Sequence, residues 1–172
     1  MELREEVAHI RQQGMEKAAV IWETLETLPQ PVEPVNIFKA ACSVKCAEFM
    51  TRVRNHPMAL MLMKSVLQFL EATRQVTEDN NGSQEEGMRV VTIFEEAIPL
   101  TDEVYNDAAA YATRQHVYDG VIMLAAAKLG KEAEVKDCID EFQRSVAMAM
   151  IRSILAQGEI DLSGFDVKPE NE

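Results

Sequence analysis

The chain has 172 residues, 47% of them hydrophobic and 27% charged, the balance of one globular domain. Its 29 acidic residues against 17 basic ones give a formal net charge of −12, which repels free nucleic acid and attracts basic proteins. No apolar run approaches the ~18 residues of a membrane span. Met1 to Ile10 does not read as a secretory leader, and the odd set Cys42, Cys46 and Cys138 does not read as a disulfide framework, so a reducing cytoplasm is the expected setting.

Leu3, Val7, Ile10, Gly14, Ala18, Ile21, Leu25 and Leu28 step by three or four, which predicts a first amphipathic helix with Gly14 at a close helix contact. Ala8, Met15, Ala19 and Trp22 form a second stripe beside it. Pro29, Pro31 and Pro34 end this helix in a stiff connector. A second helix is predicted over 35–54, with Phe38, Cys42, Cys46, Phe49 and Val53 on one face. Asn55-His56-Pro57 breaks the chain, with Asn55 as a cap and Pro57 in the first turn of a third helix over 57–76. That third helix is apolar around most of its circumference, which places it at the bundle centre or in a subunit interface.

Glu78 to Gly82 reads as a loop, and Ser83 followed by Glu86 as a capping box opening a fourth helix that Pro99 ends. A fifth helix is predicted from a Thr101 cap to Leu129, closed by Gly130. A sixth follows at once, with Val135, Cys138, Ile139, Phe142, Val146, Ala149 and Ile154 inward, so the two form an antiparallel hairpin. The expected fold is all-α, an antiparallel bundle of about six helices. Residues 1–158 form its single domain and 159–172 a mobile acidic tail.

Motifs of the common hydrolases and nucleotide-binding folds are absent. Glu6-x-x-His9 puts two metal ligands on one helix face, the spacing of di-iron sites in helical bundles, and His116 with Asp119 repeats it. Glu141 on the sixth helix can add a carboxylate. These five residues are the candidate ligands for iron or another divalent metal, against the alternative of solvated surface pairs. Cys42 and Cys46, a turn apart with Met50 beyond, read as core packing or as a soft-metal face. Met58, Met61, Met63, Met123, Met148 and Met150 read as core filling or as an adaptable groove. Gln115 lies on an apolar stripe, so the His116–Asp119 region holds either a core hydrogen-bond network or a ligand pocket.

Asn106-Asp107-Ala108-Ala109-Ala110, His116-Val117-Tyr118-Asp119, Leu124-Ala125-Ala126-Ala127-Lys128-Leu129-Gly130 and Asp140-Glu141-Phe142 carry a resemblance. With them the last third of the chain resembles the ferritin-like superfamily, especially its small bacterial stress-associated members. The resemblance implies a four-helix core, with the last two helices as the second hairpin and the helix after Ser83 as the crossover. Val117 stands where that family has a polar ligand, and Arg144 and Ser145 where it carries acids, which implies a degraded metal centre.

Three functions follow as expectations. The first is a non-enzymatic helical protein acting through protein–protein interaction, as regulator, adaptor or inhibitor, with a second copy of itself or a basic protein as partner. The second is a ferritin-like metal-binding protein of stress or iron handling. The third is an acidic mimic of nucleic acid, which rests on charge alone.

Overall fold

Apolar side chains recurring at steps of three and four do form helices here, and no strand occurs among the described residues of the computed structural model, 2–77 and 82–157. The elements in chain order are α1 (Leu3–Glu26), α2 (Pro34–Val53), α3 (Ala59–Val76), α4 (Gln84–Ala97), the single turn and a half of α5 (Asp102–Asn106), α6 (Ala108–Lys128) and α7 (Glu132–Gln157). Residues 78–81 of the expected loop and the expected tail, 159–172, lie outside the described residues.

Side-chain contacts fix the directions. Glu48 meets Arg114 while Lys45 meets Asp119, so α2 and α6 are antiparallel. Gly14 lies against His116, and Glu26 reaches Lys128 at 3.7 Å, so α1 and α6 run parallel. Met61 is near Arg152 and Ser65 bonds Ser145, which makes α3 antiparallel to α7. Asn36 touches Ser83 and Ala40 faces Gly87, which makes α2 and α4 parallel. The result is two three-helix layers. In one, α2 lies between α4 and α3; in the other, α6 lies between α1 and α7, and each helix packs on its counterpart in the facing layer. The α2–α6 pair is the centre of the molecule.

Of the two positions expected for α3, this corrects the bundle centre. The helix flanks α2 at the layer edge, and Leu60 and Leu67 on its outer side are exposed. The predicted fifth helix also divides. Asp107 is extended (φ −97°, ψ 116°), and its carboxylate accepts the Ala110 N–H at 2.9 Å, so it ends α5 and caps α6. The third helix starts two residues later than expected. Its entry is held by His56, whose Nδ1 accepts the Met58 N–H at 3.0 Å, instead of by Asn55. The first stripe of α1 is buried from Gly14 through Ala18, Ile21 and Leu25, joined by Trp22, whereas Leu3 and Val7 are exposed, as are Ala8, Met15 and Ala19 of the second stripe.

Two caps fold as the sequence indicates. Gly130 has φ +72°, a left-handed conformation, and Lys131 N–H donates to Ala126 O at 2.9 Å while Gly130 N–H donates to Ala127 O at 3.2 Å, a Schellman closure of α6. Ser83 accepts the Glu86 N–H at 3.2 Å. The reciprocal half of this box comes from another helix. Asn36 of α2 accepts the Ser83 N–H at 2.7 Å, while Glu86 accepts from Asn36 at 2.7 Å and from the Glu33 N–H at 2.9 Å. These bonds lower the Glu86 pKa, the Glu33 N–H first, and pin the start of α4 to the start of α2.

Candidate functional site

Burying a charge is costly unless it is paired, so buried ionic groups mark places the fold has been built around. The α2–α6 seam holds two such groups. Lys45, Glu48 and Arg52 recur at steps of three and four on α2 and form a polar stripe beside the apolar one. Facing them on α6 are Tyr111, Arg114, Tyr118 and Asp119.

The first group is fully knit. Arg114 donates from Nε and Nη2 to the two oxygens of Glu48, each at 2.8 Å, and from Nη1 to the Ile98 carbonyl. Tyr118 donates to Glu48 at 2.7 Å and accepts from Arg114 at 3.0 Å. Burial works against the Arg114 charge, but Glu48 and Tyr118 outweigh it and raise its pKa. Burial, reinforced by the hydrogen bond to Glu48 and its negative charge, pushes the Tyr118 phenol far above its usual range. Every part of this cluster has a partner within the protein, and its role is to lock α2, α6 and the end of α4 together.

The second group is less complete. The Lys45 ammonium, 1% exposed, is ion-paired with Asp119 and lies over the rings of Phe142 (4.8 Å) and Phe69 (5.2 Å). Gln143 of α7 donates to the second Asp119 oxygen at 3.3 Å. Beside this pair opens a cavity of about 410 Å³ between α2, α6 and α7, with Arg11 of α1 at its wall. His116 and Gln115 line it, together with the apolar Phe49, Phe142, Val146 and Met150. Arg52 lies 4.1 Å over the Tyr111 ring and donates to the Tyr105 carbonyl. Gln115 donates to the Tyr111 hydroxyl at 3.2 Å. Burial lowers the His116 pKa, with Arg11 and Lys45 acting the same way and Asp119 opposing them. The ring is therefore a neutral imidazole at pH 7, with one donor and one acceptor.

The expected candidates divide accordingly. His116 and Asp119 share this cavity. Glu6 and His9 lie exposed on the first turns of α1, and Glu141, exposed on α7, is ion-paired with Arg144 at 2.7 Å. None of these three lines the cavity, and among the described residues no three His, Cys, Asp or Glu side chains gather as a metal ion requires. Cys42 and Cys46 are buried in the core. Desolvation pushes the Cys46 thiol up to about 12 and Cys42 higher still, so neither supplies a ready thiolate. Lys45, Glu48 and Arg114 are absent from the sequence-derived candidates. Their signal was a charged residue recurring on the inner side of an otherwise apolar helix.

No family model matches the chain, and neither a curated protein nor a solved structure matches it.

Proposed function

We propose that this chain is a non-enzymatic helical protein that works by binding other protein chains, and that its first partner is a second copy of itself. The observation that carries this reading is the C-terminal half of α7. From Val146 to Ala156 its only charged residue is Arg152, and Met148, Ile151, Leu155 and, against the sequence expectation of an inward position, Ile154 are each about half exposed. These four follow one another along consecutive turns on the side of α7 turned away from α3 and the core. Single exposed apolar residues are ordinary, but a contiguous stripe of this kind marks an association surface.

Charge favours a second copy at this face. Two chains of net charge −12 repel each other over most approaches. The stretch 145–156 contains no acidic residue, so repulsion is weak there, and a basic partner would gain little from it. An antiparallel α7–α7 contact about a twofold axis buries the same residues on both sides. The raised thiol pKa values and the closed Glu48–Arg114–Tyr118 cluster also favour a structural role over a catalytic one.

Sedimentation equilibrium of the full chain, with Ile151→Glu alongside, tests this. A mass twice the 19.3 kDa of one chain, returning to 19.3 kDa in the variant, supports it. A monomer for the unaltered chain at every concentration overturns it.

A further inference from the structure

The cavity between α2, α6 and α7 has a chemistry unlike the rest of the molecule. In a chain of net charge −12 its wall carries three permanent cations, Lys45, Arg52 and Arg11, and one carboxylate, Asp119. Donor capacity remains unused there. The Lys45 ammonium, buried against Asp119 and the Phe69 and Phe142 rings, adds positive potential at the cavity wall without itself reaching the opening. Arg52 has five donors and uses one, on the Tyr105 carbonyl, while stacking on Tyr111 holds its plane fixed. The neutral His116 ring adds a donor without adding charge. Opposite these groups stand Phe49, Phe142, Val146 and Met150, which offer no polar atoms from their side chains. The volume, about 410 Å³, falls within the roughly 300–1,000 Å³ typical of small-ligand sites.

We infer that this cavity is a binding site for a small monocarboxylate carried on an apolar body. The carboxylate meets Arg52, and the apolar part lies along Phe49, Val146 and Met150. A metal cation is disfavoured because the only carboxylate present is already paired with Lys45. Inorganic phosphate is disfavoured because it would leave the apolar wall unfilled. The inference does not rest on self-association through α7, since Met148, Ile151, Ile154 and Leu155 do not line the cavity.

Calorimetric titration of the full chain with octanoate, 1-octanol and inorganic phosphate tests it, with amide shifts locating the bound molecule. Octanoate is expected to bind one to one and at least about tenfold more tightly than 1-octanol, the difference a charge-assisted bond supplies. Arg52→Met should weaken octanoate by about the same factor and leave 1-octanol unchanged. Shifts should centre on Gln115, His116 and Gln143. Absence of saturable octanoate binding, equal binding of 1-octanol, tighter binding of phosphate, or shifts confined to Met148–Leu155 would each overturn the inference. If Arg52→Met does not fold, the octanoate-to-octanol ratio on the unaltered chain still decides it.

Discussion

Gly120 of α6 lies so close to Ala18 of α1 that a Cβ placed on it would fall 2.5 Å from the Ala18 Cβ. Gly14 makes the matching approach one turn earlier, where a Cβ would fall 2.5 Å from that of His116 and 2.9 Å from the Thr113 carbonyl oxygen. The two glycines therefore set the α1–α6 spacing from opposite sides, and they hold the helix that carries His116 and Asp119 in its register.

Gly120→Ala should destabilise the chain although alanine is the better helix former. The propensity gain is about 1 kcal/mol, whereas forcing a methyl group into a packed seam costs about 1–3 kcal/mol and moves both helices. Urea unfolding should show a lower midpoint for Gly120→Ala, and lower again with Gly14→Ala. An increase in midpoint would mean that the seam is looser than described.

The Glu48–Arg114 pair should be worth far more than any surface ion pair in this chain. Glu48→Gln leaves a guanidinium with 5% exposed side chain without its counter-charge, which costs about 3 kcal/mol. Tyr118→Phe removes one hydroxyl that both donates and accepts, and should cost about 1–2 kcal/mol. Disrupting Lys136–Asp140, which is largely exposed and screened by solvent, should leave stability nearly unchanged. Equal effects of the three changes would refute the assignment of the Glu48 cluster as the central lock.

Much of this arrangement was legible in the sequence, because apolar periodicity reports directly on which side of a helix meets its neighbours. The stripe through Gly14, Ala18 and Ile21, the Ser83 cap and the Gly130 closure all follow from local chemistry. What periodicity cannot carry is the pairing of one helix with another. Lys45 and Asp119 are 74 positions apart, and nothing in either neighbourhood names the other. For the same reason the composition of α3 fits a central or an interface helix alike, and it is α2 and α6, each with charged residues on the inner side, that occupy the centre. Asp107 was hidden differently: it continues the helical pattern, yet its short carboxylate competes for the backbone and breaks it.

His116 makes stability depend on pH in a defined direction. Its folded-state pKa lies below the ordinary 6.5, through burial first, then Arg11 and Lys45 against Asp119. The unfolded chain thus takes up the proton before the folded one. The associated stability is fully present above about pH 6.5 and is lost as pH falls toward the folded-state pKa. Melting temperature should therefore fall between about pH 7 and pH 5, and His116→Gln should flatten that slope. An unchanged slope in the variant would place the titrating group elsewhere.

The three thiols should differ in reactivity. Cys42 and Cys46 are buried and held protonated, while Cys138 on α7 is half-buried, with its pKa also raised by burial. An aromatic disulfide reagent at mildly alkaline pH should modify at most one thiol per native chain, and all three after denaturation. Rapid modification of two or more in the native chain would contradict the buried placement of the α2 cysteines.

The claim that two copies meet through α7 is tested most directly by where they can be joined. In a chain carrying Cys138→Ser, Ile151→Cys places a thiol at the middle of the exposed stripe, and Glu23→Cys places one on the exposed side of α1. Mild oxidation should give a disulfide-linked dimer from Ile151→Cys and none from Glu23→Cys. A monomeric product from Ile151→Cys, or equal linking at both positions, would contradict association through that helix.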